Sequence, residues 1–300
     1  MENILLDKTL VIASQEGYEA AYRFLAGESL KLPEGEYPRV FYFLMCLAAG
    51  NGKSEIALHH FEEAVLKKGY WYRKEELEDQ DLAPLFGSKK FSDLKLLCEQ
   101  RQKTAQENAR PFCTYQGQTA SILLLCVHGN GQNASISKAD WHMLESREIQ
   151  VEAVQSATAE SYGRFSWNYD TMNFRQIEEC VKKVPWGNYK KHILAGFSAG
   201  CDMILRTIAA CSLQIEALLL QSPYIPYMKE NAERIVEVCH EKGIQVGIYC
   251  GVLDEVCHDM AAGLYHKLTE AGVQTHLVWQ PGLRHGFPEK MGEEYKGYLK

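Results

Sequence analysis

Along the first hundred or so residues the apolar positions recur every three or four residues with no sustained alternation, which predicts helices. The expected segments are Gln15 to Ala26, Tyr37 to Ala49, Lys53 to Lys68, Arg73 to Leu77 and Phe91 to Ala109. Gly50-Asn51-Gly52 reads as a turn between the second and third, so that pair is expected to form an antiparallel hairpin. From residue 111 the pattern changes. Ile122 to Val127 is a continuous apolar run, as in a strand covered on both faces. Further strand candidates are Ile149 to Gln155, His192 to Ala195, Ile215 to Gln221, Ile244 to Cys250 and Val273 to Trp279, with a weaker edge-strand signal at Phe112 to Tyr115. Between them lie helix-length segments at Ser137 to Glu145, Phe174 to Val184, Ala199 to Cys211, Tyr227 to Lys242 and Val256 to Ala271. This alternation predicts an α/β fold, a mostly parallel sheet between two helical layers, behind an all-α region. The expected domains are residues 1–110 and 111–300.

In such a sheet the working residues belong at the carboxyl ends of the strands. His128-Gly129-Asn130-Gly131-Gln132-Asn133 follows the first strand, and Gly196-Phe197-Ser198-Ala199-Gly200 joins the third to its helix. Gly251-Val252-Leu253-Asp254 follows the fifth, and Pro281-Gly282-Leu283-Arg284-His285-Gly286-Phe287 follows the sixth. Alone, the Gly-x-Ser-x-Gly pentapeptide fits an ordinary turn as well as a nucleophile elbow, the sharp bend that lifts a serine hydroxyl out of a sheet. Its company changes that, because serine, aspartate and histidine reach successive strand ends in the chain order of a hydrolase triad. The rivals fit less well. His128 suits a loop-orienting role, His258 a helix surface, Asp202 a helix N-terminus and Ser222 a loop without flanking glycines.

On these residues, 111–300 resembles the α/β-hydrolase superfamily, most of all its phospholipase/carboxylesterase and dienelactone-hydrolase-like branches. The expected fold is then an α/β-hydrolase three-layer sandwich lacking its first strand or strands, with the helical region covering the exposed sheet edge. The resemblance implies Ser198 as nucleophile, His285 as general base, Asp254 as its partner, and the backbone N–H groups of Asn130 and Ala199 as the oxyanion hole. In related esterases a loop matching Tyr162 to Asp170 borders the pocket, which makes Trp167 and Tyr169 candidate substrate contacts, with Tyr224 a similar case. No metal or organic cofactor is expected. The implied activity is serine-dependent hydrolysis of a carboxylic ester or thioester. A peptidase on the same triad, and a protein-interaction module with incidental catalysis, stay open.

In the helical region, Phe41, Leu44 and Ala48 on one helix and Ala57, Phe61 and Ala64 on the next resemble the packing positions of a tetratricopeptide repeat, with Gly69 in place of the usual proline. That likeness implies a docking surface for a protein partner, against which stands a plain helical cap. Adjacent His59 and His60 point about 100° apart on a helix and make no metal pair. Net charge is −7, and no basic run exceeds a pair, which argues against nucleic acid. Met1 to Ser14 is too short and too interrupted for a signal peptide or membrane span. Ten cysteines without a C-x-x-C pair read as buried thiols, and the expected location is the cytoplasm.

Overall fold

The computed structural model describes residues 2–169 and 172–297. Its helices are α1 Glu2–Glu16, α2 Tyr18–Ser29, α3 Pro38–Gly50, α4 Ser54–Glu62, α5 Lys74–Leu77, α6 Lys89–Asn108, α7 Ala134–Trp141, α8 Arg175–Lys183, α9 Ala199–Ala210, α10 Met228–Glu241, α11 His258–Glu270 and α12 Glu293–Lys296. The strands are β1 Phe112–Cys113, β2 Ile122–Val127, β3 Ile149–Gln155, β4 Thr158–Ser161, β5 Arg164–Ser166, β6 Lys191–Phe197, β7 Ala217–Gln221, β8 Gln245–Gly251 and β9 Thr275–Gln280. The chain divides into two compact units, one of residues 1–108 with 160–162, the other of 109–159 with 163–300.

In the first unit α3 and α4 pack as an antiparallel pair, burying Leu44, Ala48, Ala57, Phe61 and Ala64, while Phe41 is half-buried. The second helix loosens into a π-turn at Glu63–Lys67 and stops where Gly69 takes φ +76°. That left-handed turn ends the helix without a proline. His60 bonds Tyr22 Oη at 2.9 Å and His59 lies on the surface. Helix α1 lies in the stretch that the apolar pattern left unassigned. Leu6 and Thr9 are buried while Ile4, Leu10 and Val11 are exposed, so apolar residues on both faces conceal the helical period.

The second unit is a seven-stranded sheet in the order β1-β3-β2-β6-β7-β8-β9, antiparallel only between β1 and β3. All of β2, β3 and β7 is buried, as the unbroken apolar run of β2 requires of a strand covered on both faces, while β3 also buries the polar Gln150, Glu152 and Gln155. Alternate residues feed the two layers. Leu125, Val127, Leu194 and Leu218 face one core, with α9, α10 and α11, and Leu124, Cys126, Ile193 and Ala195 face the other, with Trp141 and Tyr249. A separate hairpin pairs β4 with β5, which places Arg164–Ser166, inside the segment expected to be a loop, in a strand. Its strands, of four and three residues, are too short to impose a readable alternation. All ten cysteines are free, eight of them buried. Among the described residues no helix is long and apolar enough to cross a membrane.

Phe61 is 1% exposed and packs its ring 5.4 Å from Phe91 and 6.2 Å from Tyr72. Phe61→Ala is expected to destabilise the first unit by about 3 kcal/mol through the cavity it leaves, read as a lowered urea midpoint by circular dichroism.

Candidate active site

The carboxyl ends of the parallel strands form one row, with Val127 beside Gly196, Gly196 beside Leu220 and Phe197 beside Gln221. At the end of β6 the chain turns sharply into α9 through Ser198, at φ 51° and ψ −122°. Among the described residues only Ser198 and Ser222 are non-glycine with positive φ, and both stand at these strand ends. The turn is held by Ser198 N–H donating to the Gln221 carbonyl at 3.0 Å and by Cys201 N–H donating back to Ser198 O at 3.0 Å. Side chains on the flanking glycines have no room. A Cβ on Gly196 would stand 2.9 Å from the Cys201 nitrogen, and one on Gly200 would stand 2.3 Å from the Val127 carbonyl oxygen.

His285 reaches this serine from the loop after β9, its Nε2 3.0 Å from Ser198 Oγ, and its Nδ1 bonds Asp254 Oδ2 at 2.9 Å. The Asp254 side chain is fully buried and also accepts from Cys257 N–H at 3.1 Å. Burial alone would raise its pKa, but the hydrogen bond and charge of His285 outweigh that and hold the carboxyl below its ordinary value. Asp254 therefore stays an acceptor, which fixes the proton of His285 on Nδ1 and turns the lone pair of Nε2 toward the serine hydroxyl. Asp254, Cys257 and His285 are the only group of three potential metal ligands among the described residues. Burial drives the Cys257 thiol well up, and the carboxylate and imidazole are already bonded to each other. The set therefore suits proton transfer better than metal coordination.

The loop after β2 lies against the same serine, where a Cβ on Gly129 would stand 3.2 Å from Ser198 Cβ. It is braced from within. Gln132 Oε1 accepts from Gly129 N–H at 2.9 Å, and Asn130 Oδ1 accepts from Trp167 N–H at 2.8 Å. The backbone N–H groups of Asn130 and Ala199 have no protein acceptor among the described residues. His128 is wholly buried, with Nε2 accepting from Ser156 N–H at 3.2 Å and Nδ1 bonded to the Gly129 carbonyl at 2.8 Å. A nitrogen that accepts a backbone N–H carries no proton, so the ring is the neutral Nδ1–H tautomer. Burial pushes its pKa down to about 4.

A mostly parallel sheet in this strand order, with a single antiparallel edge pair and helices on both faces, has the α/β-hydrolase fold. Residues 1–106 match the family model described as "A/B hydrolase-like, N-terminal domain". The structure is similar to that of an uncharacterized protein from Bacillus cereus ATCC 10987, at 27% identity over 99% of this chain and 96% of that one, with a TM-score of 0.56. Weaker likenesses are to the Bacillus cereus carboxylesterase, 15% identical over 66% of this chain and 96% of that one with a TM-score of 0.46, and to a monoacylglycerol lipase of Paleococcus ferrophilus, 12% identical over 63% and 96% with the same score. No curated protein matches.

Within this fold, Ser198, Asp254 and His285 are brought together, and Asn130 and Ala199 lie on the loop and helix beside the serine. Trp167 takes a different place from the one expected. It is 2% exposed, donates Nε1–H to the His128 carbonyl at 2.7 Å and packs its ring 4.9 Å from that imidazole. It therefore supports the Asn130 loop from behind instead of forming a substrate wall. Tyr169 and Tyr224 are half-buried, edge to face at 6.1 Å, with Asn130 Nδ2 donating to Tyr169 Oη at 3.4 Å and Tyr224 N–H to Ser198 O at 3.3 Å. Asp170, in the same loop, lies outside the described residues. Asp202 is buried, bonded to Arg206 and to Tyr227 N–H, and His258 stacks on Trp279 at 4.1 Å. Sequence reasoning passed over Gln132 and the Asp140 carboxylate that accepts from it at 3.2 Å, since a lone glutamine in a glycine-rich loop carries no signal.

Because the folded pKa of His128 lies below the usual 6.5, unfolded chains bind a proton that folded chains refuse between about pH 6.5 and 4. Stability is thus full above pH 6.5 and falls as pH drops, by about 3 kcal/mol for a shift of this size. Urea midpoints at pH 7 and pH 4.5 should show a smaller acid loss in His128→Asn than in wild type.

Proposed function

We propose that the protein is a serine hydrolase that cleaves a carboxylic ester, or a thioester, through an acyl-enzyme intermediate. The pair of hydrogen bonds from Ser198 Oγ to His285 Nε2 at 3.0 Å and from His285 Nδ1 to Asp254 Oδ2 at 2.9 Å carries this reading. A serine hydroxyl is too weak an acid to attack a carbonyl unaided. In this mechanism His285 takes its proton at Nε2 as Oγ bonds to the carbonyl carbon, then gives it to the departing alkoxide or thiolate. Asp254 holds the Nδ1–H tautomer and stabilises the imidazolium that forms between those two transfers. The oxyanion of each tetrahedral intermediate is held by the N–H groups of Asn130 and Ala199, and one such donor is typically worth about 3 kcal/mol of barrier. Water, deprotonated by His285, then attacks the acyl-enzyme and releases the acid.

Tyr169 and Tyr224 are the residues we assign to the substrate walls. Val252, Leu253 and Val256, on the loop that carries Asp254, are all about half exposed, which favours an apolar acyl or alcohol group over a charged one. A panel of p-nitrophenyl esters from acetate to octanoate, with p-nitroacetanilide as the amide, tests the reaction class and the reach of the pocket. Ester turnover is expected, reduced about 1,000,000-fold in Ser198→Ala and about 10,000-fold in Asp254→Asn. Turnover that persists in folded Ser198→Ala would overturn the assignment.

A further inference from the structure

His285 stands on a loop whose Phe287 ring packs 5.2 Å from Trp141 and 5.0 Å from Phe197, but whose backbone is sparsely bonded. Among the described residues, the only hydrogen bond to the backbone of residues 284–291 comes from one side chain, Gln221 Nε2, donating to the Gly286 carbonyl at 2.8 Å. Gln221 ends β7, and its own backbone carbonyl accepts the N–H of Ser198 at 3.0 Å. One fully buried residue thus grips the nucleophile through its main chain and the neighbour of the base through its side chain.

The amide is itself fixed by a closed ring of bonds. Gln221 Nε2 donates to Gln280 Oε1 at 2.9 Å, Gln280 Nε2 donates to Tyr295 Oη at 2.7 Å, and Tyr295 Oη donates to Gln221 Oε1 at 2.6 Å. Both hydrogens and the oxygen of the Gln221 amide are engaged, and reversing the amide would set its oxygen against two carbonyl oxygens. Tyr295 comes from α12 and is held by stacking on Tyr249 at 3.9 Å. All three side chains are more than nine-tenths buried, where such bonds reinforce one another and water does not compete.

We propose that Gln221 is a positioning residue that sets the distance between Ser198 and His285, and that Tyr295 near the chain end locks its amide in the working orientation. The proposal rests on the hydrolase reading for its kinetic consequence but not for its structural one. Gln221→Leu keeps the backbone grip on Ser198 and loses the grip on Gly286, so the base loop gains freedom while Ser198 stays in its turn. Tyr295→Phe keeps the stacking and breaks the ring, leaving Gln221 Nε2 free to hold Gly286 but less well oriented.

Two readouts test this on the full-length protein. The first is steady-state hydrolysis of p-nitrophenyl butyrate. A fall in kcat of ten-fold or more is expected in Gln221→Leu and of two- to five-fold in Tyr295→Phe, with KM within two-fold of wild type and a single cooperative melting transition in each. The second needs no turnover. It is the low-field proton resonance of His285 Nδ1–H, assigned by its absence in His285→Ala, which should be sharp in wild type and broadened or lost in Gln221→Leu. Absence of ester hydrolysis in wild type with that change in resonance would sink the hydrolase reading and keep the positioning role. An unchanged resonance in a folded Gln221→Leu, or an unchanged kcat where wild type is active, would overturn the positioning role itself.

Discussion

The site depends on how closely the first turn of α9 approaches the end of β2. Gly200 lies so near the Val127 carbonyl that a methyl group there would overlap it. That approach brings the N–H groups at the start of the helix and the Asn130 loop to one place, with Ser198 between them. It also demands the left-handed serine, since only an abrupt turn returns the chain into α9 without pulling the helix off the sheet. The parallel register carries the effect outward. Phe197 sits beside Gln221 and Gln221 beside Tyr249, so the positions of β7 and β8 follow from that of β6, and the acid loop follows from β8.

Two buried ionisable groups frame the serine in opposite charge states. His128 is neutral because one nitrogen must accept a backbone N–H, and burial penalises its cation. Asp254 is charged because His285 and Cys257 supply the bonds that its carboxylate needs. The difference lies in the donors each group meets, not in depth of burial. Of the three groups, only His285 places a ring nitrogen within hydrogen-bond reach of Ser198 Oγ, at 3.0 Å. Trp167 belongs to the same frame, since its indole N–H donates to the His128 carbonyl and its backbone N–H donates to Asn130 Oδ1.

Much of this was legible in the sequence because it rests on local necessity. Continuous apolar runs mark strands with two covered faces, and glycines flank Ser198 because close approach allows nothing larger. Order along the chain then paired Asp254 and His285 with strand ends. What escaped reading lacks such a local mark. Helix α1 carries apolar residues on both faces, and the β4–β5 hairpin is too short to alternate. The role of Trp167 was misjudged because an aromatic residue in a loop reads the same whether it faces a substrate or a buried imidazole. Gln221, Gln280 and Tyr295 meet only through the fold, so no spacing announces them.

The central claim is that Ser198 is activated by the surrounding fold, and covalent capture tests it most directly. Folded protein is treated with a fluorophosphonate and the adduct is mapped by mass spectrometry of its peptides. The account predicts one adduct per chain, on Ser198, absent from Ser198→Ala and from urea-unfolded wild type. An unlabelled folded protein, or an adduct on any other residue, would contradict it.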